Sequence, residues 1–340
     1  MRQYKKWLLV SCLLLTIILV IISALNYIAN PLWCFNHDFK ISEYKNQYNE
    51  REQKTNLLYF GKKQYDGILI GSSRSSYINT NNSKKYNLFN YSIASLHINE
   101  YKGYIDIANK IDSKNTQNII LGLDFFSYLK DSHISKMPSE FYKDISSPFY
   151  RFKSLLSYDS LRKAKKNLQI KEDTKERVYT NDYVVYTTIR DENETKKTIA
   201  EKINHFSKKF YDKQNKFLNY TKILHEIKSA YPQTNFIIIT TPITKDLFIE
   251  LKNHNLYTEY ENWIEDLVSI FGEIHHFMYL NKITKNSYKN FYDGHHFYPY
   301  VGDLIINQID NRNNDDFGLI INKSNLKKSI KKLRKINNAI

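Results

Sequence analysis

The chain has 340 residues, with 42% hydrophobic, 25% charged and a net charge of +15. That is ordinary globular composition for one large domain or two modest ones; nine glycines and six prolines exclude collagen-like and Gly/Pro-rich disordered chains, and two cysteines exclude a disulfide-stapled mini-fold. Seven of the excess positives (Lys323, Lys327, Lys328, Lys331, Lys332, Arg334, Lys335) lie in the acid-free stretch from 317 to the end and three (Arg2, Lys5, Lys6) precede an apolar run, which leaves +5 of the +15 for everything else and argues against a nucleic-acid-binding body.

The 22 residues from Trp7 to Ile28 carry no formal charge, and at about 1.5 Å per residue they cover the roughly 30 Å hydrocarbon core of a bilayer. A secretory signal has a shorter apolar core, about 7–15 residues, ending in a small-x-small site. Here the run ends in Asn26-Tyr27-Ile28-Ala29-Asn30-Pro31, with Trp7 and Tyr27 placed as interfacial anchors, so residues 1–29 read as an uncleaved membrane anchor. Arg2, Lys5 and Lys6 put the N-terminus in the cytoplasm and the rest of the chain outside it. Cys12 falls inside the run and Cys34 just beyond it, so no disulfide framework is available.

Residues 30–66 are polar, lack a sustained apolar period and read as a neck. Gly67-Ile68-Leu69-Ile70 is a buried-strand pattern broken sharply by Gly71-Ser72-Ser73-Arg74-Ser75-Ser76. A second short strand is expected within Tyr86–Ile93, a helix from Ile98 with Tyr101, Tyr104, Ile105, Ala108 and Ile111 on one face, and a strand over Asn118–Leu123. Residues 130–215 are charged and Tyr-rich without strand-helix alternation, and read as an insertion. Further helices are expected over Phe217–Ala230, over Leu256–Phe271 with Gly272 as its cap, and from Pro299. Between the first two of these lies a strand over Asn235–Thr240. Strands alternating with helices imply an α/β three-layer sandwich with a central parallel sheet over 67–312, followed by a basic tail, 313–340.

In open α/β sheets, reactive groups gather beyond the carboxyl ends of the strands. A serine hydroxyl becomes a nucleophile only when a base takes its proton, so Ser72-Ser73 needs a histidine supplied by the fold. The segment Asn290-Phe-Tyr-Asp293-Gly-His295-His296-Phe-Tyr-Pro299 offers one, with an aspartate three residues earlier to orient it. Each segment alone has a plainer reading, as a polar turn and as helix-capping histidines.

Together, strand-Gly-x-Ser near the start of the domain and Asp-x-x-His before its last helix resemble the SGNH, or GDSL-type, hydrolases. The turn Gly-Ser-Ser-Arg, the N-terminal anchor and the ending Tyr-Asp-Gly-His-His-Phe-Tyr-Pro-Tyr-Val-Gly-Asp-Leu-Ile resemble the membrane-anchored branch of that family. That branch works beside membrane-bound O-acyltransferases in acylating exported polysaccharides, as in alginate O-acetylation, and has relatives in teichoic-acid D-alanylation. The resemblance implies Ser73 as nucleophile, His296 as base and Asp293 as its orienting carboxylate, with no metal or cofactor. It implies a cell-surface polysaccharide substrate, a membrane-bound O-acyltransferase as acyl donor and a catalytic domain outside the cytoplasm. The family's oxyanion glycine and asparagine fall on Ser95 and Asp124, and an ionised Asp124 donates no hydrogen bond. Arg74 either holds an anionic sugar substituent or pairs with a carboxylate.

Two other readings remain open from sequence. The doublets His275-His276 and His295-His296 suit metal chemistry, but adjacent histidines on a strand face opposite ways, so each doublet is expected to offer one ligand, with no Asp/His cluster to complete a site. Ser95 and Asp124 also fit a catalytically inactive glycan-binding or partner subunit of an acyltransferase complex. In the tail, Leu326, Ile330, Leu333 and Ile336 form one apolar stripe among the lysines, an amphipathic helix for an anionic surface or else a frayed, solvated terminus.

Overall fold

The computed structural model describes residues 2–337 except 38, 41, 130–135, 175, 212–218 and 313–316. Phe217 and Leu218, the expected start of one helix, lie outside the described residues, as do parts of the expected insertion and tail. Nine strands are described: β1 (Tyr44–Asn46), β2 (Gly67–Gly71), β3 (Leu88–Asn90), β4 (Asn118–Leu123), β5 (Val178–Thr180), β6 (Val185–Tyr186), β7 (Asn235–Thr240), β8 (Glu273–His276) and β9 (Leu319–Asn322). The chain divides into two compact units, residues 1–63 with 139–186, and residues 64–138 with 187–340.

The first unit starts with the helix Arg2–Ala29, of which Gln3–Ala29 is long and apolar enough to cross a membrane. Its last turn is built into the unit. Asn26 Nδ2 donates to the carbonyls of Leu155 and Ser157 at 2.7 and 3.1 Å, and Ala29, Asn30, Trp33 and Cys34 are all buried. The neck is more ordered than its composition suggests. It supplies β1, which pairs antiparallel with β5, and the helix Glu50–Phe60, whose Gln53 and Asn56 amides satisfy the carbonyls of Pro31 and Leu32 at 2.9 and 2.8 Å. Polar side chains thus do inside this unit what an apolar period does elsewhere, which is why hydropathy alone gave no element here. Burial, with Arg177 adding to it and Glu50 opposing it, pushes the Lys54 ammonium down to about 7.

The second unit carries a six-stranded sheet in the order β3-β2-β4-β7-β8-β9. The first five strands run parallel and β9 is antiparallel to β8. Every residue of β2 and all but the first of β4 is buried, as expected of strands covered on both faces. The expected helices over Ile98–Ile111, Tyr257–Phe271 and Pro299–Asn311 are present, and Gly272 ends the second of them with φ +91°. Because β2 is followed by β3 on one side and by β4 on the other, the strand order reverses between β2 and β4. A crevice therefore opens beyond their carboxyl ends.

The described residues within 130–215 do not belong to one insertion. Residues 139–186 fold with the neck, whereas the helix Glu192–Lys209 belongs to the unit that holds the sheet. The expected tail, 313–340, also starts before the ordered unit ends. Residues Leu319–Asn322 close the sheet as β9, and Leu326–Asn337 is a helix with Ile330, Leu333 and Asn337 buried. The periodicity in 326–337 marked the helix; the pairing of β9 with β8 is non-local and left no mark in the tail's composition.

The helix Pro299–Asn311 approaches the turn after β2 through Gly302, where a methyl group would meet the Tyr77 carbonyl carbon at 2.7 Å. Gly302→Ala should therefore push the helix off that turn and cost about 1–3 kcal/mol, read as a lowered unfolding midpoint in detergent.

Candidate functional site

The turn that follows β2 is shaped by missing side chains. Gly71 and Gly122 are paired in register on β2 and β4, and a Cβ on either would collide with the Ser75 side chain that fills the notch. The turn is held from below by Asn90, whose Nδ2 donates to the carbonyls of Ser75, Ser76 and Ile78 at 3.2, 3.4 and 2.8 Å. Ser73 stands at its apex, half-buried, while Ser72 and Arg74 on either side are buried. Among the described residues the Ser73 backbone N–H makes no hydrogen bond, so it is free to donate to a developing oxyanion.

The loop before the last sheet-side helix brings the histidine. Asp293 Oδ1 accepts from the backbone N–H groups of His295 and His296 at 2.9 and 2.8 Å, which curls the loop around the carboxylate. Asp293 Oδ2 lies 2.8 Å from His296 Nδ1, and His296 Nε2 lies 2.8 Å from Ser73 Oγ. The structure thus brings Ser73, His296 and Asp293 together across 223 residues of chain in one hydrogen-bonded relay. With Nδ1 protonated toward Asp293, Nε2 is left to accept the serine proton.

The electrostatics suit that tautomer. Burial works against an ionised Asp293, but His296, His295 and Lys202 outweigh it and hold the carboxyl well below its usual range. Burial lowers the His296 pKa; Asp293 opposes the shift, and Lys202 and Arg74 add to it, so the imidazole is neutral at neutral pH. The ring is held by aromatic neighbours: Tyr292 lies 5.3 Å away at an interplanar angle of 6°, and its hydroxyl meets that of Tyr77 at 2.6 Å.

Arg74 and Asp124 pair with each other. Arg74 Nη1 donates to Asp124 Oδ1 at 3.2 Å and to Thr241 Oγ1 at 3.5 Å, and the Thr241 hydroxyl also donates to Asp124 Oδ1. Arg74 follows β2, Asp124 follows β4 and Thr241 follows β7, so one buried cluster ties three strand ends together directly behind the serine. Arg74 also packs over the rings of Phe126 and Phe206 at 5.1 and 5.7 Å. Of the two roles open to Arg74 from sequence, its geometry is that of the carboxylate partner. Ser95 lies exposed on the turn after β3 with φ +54°, the left-handed conformation that favours glycine.

The expectation that each histidine doublet offers one ligand holds for β8 and fails for the loop. On β8, His275 Nδ1 meets Gln308 Oε1 at 2.8 Å, whereas His276 on the other face meets Thr240 and Tyr260 hydroxyls at 2.9 and 2.7 Å. Burial drives His276 down to about 3, so it is a neutral core residue. His295 and His296 are not on a strand. Their rings lie 3.9 Å apart, and Asp293, His295 and His296 offer ligand atoms within 4.8 Å of one another. The Asp/His cluster that sequence did not foresee is therefore present. Asp293 and His296 are already engaged with each other and with Ser73, while His295 Nδ1 is buried without a hydrogen-bond partner, and Lys202 Nζ at 3.7 Å from Asp293 Oδ2 opposes a second cation.

Sequence reasoning missed Thr241, Lys202, Tyr77 and Tyr292. Thr241 sits directly after a predicted strand and was findable by the rule that located Ser73. Lys202 comes from the helix Glu192–Lys209, and nothing local connects it to the loop at 293.

No family model matches the chain, and no curated protein matches it. Among solved structures, one from Streptococcus pneumonia, provisionally described as a platelet activating factor, aligns at 10% identity with a TM-score of 0.37. The alignment covers 77% of this chain and 90% of that one.

Removing one side of a buried ion pair strands the other. Asp124→Ala should cost about 3–5 kcal/mol in denaturant unfolding. Lys202→Met removes a positive charge that disfavours protonation of His296; the His296 pKa should rise, and its imidazole NMR titration should move to higher pH than in the wild type.

Proposed function

We propose that the protein is a membrane-anchored serine O-acyltransferase or esterase acting on O-acyl groups, acetyl above all, of a cell-surface polysaccharide. The observation that carries this reading is the pair of 2.8 Å contacts linking Ser73 Oγ to His296 Nε2 and His296 Nδ1 to Asp293. A binding module has no need of a serine, base and carboxylate in this alignment. The SGNH-like motifs Gly-Ser-Ser-Arg and Asp-Gly-His-His supply the assignment to O-acyl chemistry.

In the reaction, Ser73 Oγ attacks the acyl carbonyl carbon as its proton passes to His296 Nε2, and the carbonyl oxygen becomes an oxyanion facing the Ser73 N–H. Collapse breaks the bond to the donor oxygen, which takes the proton from His296, and leaves an acyl-Ser73 ester. His296 then deprotonates a water or a sugar hydroxyl, whose oxygen attacks the acyl carbon, and Ser73 leaves with the proton. Hydrolysis and transfer differ only in that second nucleophile. Asp293 keeps the ring oriented and balances the imidazolium. With Arg74 as its counter-charge, Asp124 no longer confronts the oxyanion as an unpaired anion, and the donor left is the backbone N–H of Ser73.

The anchor reading is supported by the way the end of the apolar helix is fastened. Cleavage after the apolar run would remove Asn26 and Ala29, which are buried within the first unit. The acyl donor is a membrane-bound O-acyltransferase, and the serine site works outside the cytoplasm.

Ser73→Ala and His296→Ala should each lower turnover of a small acetyl ester by at least about 10³-fold while leaving the fold intact. A fluorophosphonate should label Ser73 in the wild type and fail on Ser73→Ala. Wild-type turnover in Ser73→Ala rejects the nucleophile. Absence of labelling in a wild type that is still required for glycan acylation selects the non-catalytic partner subunit.

A further inference from the structure

The helix Leu326–Asn337 divides its surface sharply. One side is spent on the domain. Leu333 is fully buried, Ile330 nearly so, and the Asn337 side chain accepts from the Leu280 N–H at 3.2 Å and donates to the Tyr257 hydroxyl at 3.1 Å. Arg334 is fixed to both oxygens of Glu261 on the helix Tyr257–Phe271, at 2.6 and 2.7 Å. Lys327, Lys328, Lys331, Lys332 and Lys335 are all exposed, and among the described residues none has an ion-pair partner. At about 100° per residue these five fall within an arc of about 140°, opposite the buried side. The helix cannot roll to insert an apolar face anywhere else, because that face is already in the core. What it offers is a rigid row of five cations.

We propose that this lysine face rests on the anionic phospholipid headgroups of the bilayer that holds the N-terminal helix. The proposal builds on the anchor reading of that helix. A chain tethered by Gln3–Ala29 spends its life beside a charged plane, and a straight row of ammonium groups complements a diffuse planar charge. All five are lysine, a compact point charge, whereas arginine's bidentate fork is the group suited to gripping individual phosphates or carboxylates of a bound polymer. The contact would restrict how the catalytic unit turns above the membrane without touching Ser73, His296 or Asp293.

The test is amine footprinting of the full chain in nanodiscs of phosphatidylcholine alone and of phosphatidylcholine with an equal part of phosphatidylglycerol, using an N-hydroxysuccinimide ester and mass spectrometry. The five lysines should react on the order of tenfold more slowly in the anionic discs, exposed lysines remote from both this helix and the anchor, such as Lys114, should react alike in both, and the difference should vanish in 1 M salt, where the Debye length is about 3 Å. Lys327→Gln with Lys331→Gln should weaken the protection of Lys328, Lys332 and Lys335. Equal labelling in the two discs overturns the proposal. Protection by soluble polyphosphate in zwitterionic discs, without protection by anionic lipid, overturns it in favour of a polyanionic polymer. A chain that co-purifies with neither disc overturns the anchor, and this proposal with it.

Discussion

Asp293 is the group on which the site depends. One carboxylate oxygen takes the backbone N–H groups of two successive histidines and the other takes the His296 ring, so a single buried anion folds the loop and sets the imidazole plane. Burying a carboxylate is costly unless its charge is met, and here two backbone N–H groups, the His296 ring N–H and the nearby Lys202 ammonium meet it. The same contacts that stabilise the loop leave His296 neutral, with one nitrogen turned to Ser73. Structural and chemical demands on the loop are therefore satisfied by one arrangement, and a change that loosens Asp293 loosens both.

Ser73 depends on a second buried charge pair. The turn after β2 has no helix dipole of length behind it and, Arg74 apart, only small side chains within it. Its rigidity comes from Arg74 reaching across to Asp124 and Thr241 at the ends of the neighbouring strands, and from Asn90 gathering three of its carbonyls. An isolated buried pair gains little net stability against its desolvation; its use here is positional, since it locks three strand ends in one register around Ser73. Arg74 beside the serine and Asp124 beyond β4 form one buried charge pair. An acid at 124 is tolerable because a guanidinium from 74 arrives to neutralise it.

The first unit follows a different logic. Its interior is stitched by amides, with Asn26, Gln53 and Asn56 closing backbone groups that regular sheet or helix would close elsewhere. Aromatic contacts complete it, Trp33 lying 5.0 Å from both Tyr179 and Tyr183. Such a unit is rich in Lys, Asn and Tyr and reads as linker, although it is specified by directional bonds.

The sequence by itself determined the apolar N-terminal helix, the alternation that makes a parallel sheet, and the two short segments that carry Ser73, Asp293 and His296. These are local properties: a run of apolar residues, a period of 2 or 3.6, and an Asp-x-x-His whose members can bond within one turn of loop. Tertiary structure alone decided that Arg74 pairs with Asp124, that His295 lies against His296, that Lys202 approaches Asp293, and that β9 closes the sheet with residues that read as tail. Each of these joins groups far apart in the chain or depends on where a side chain points. Their energies are earned only after the sheet has brought strand ends and loops to one place, so no window of sequence contains them.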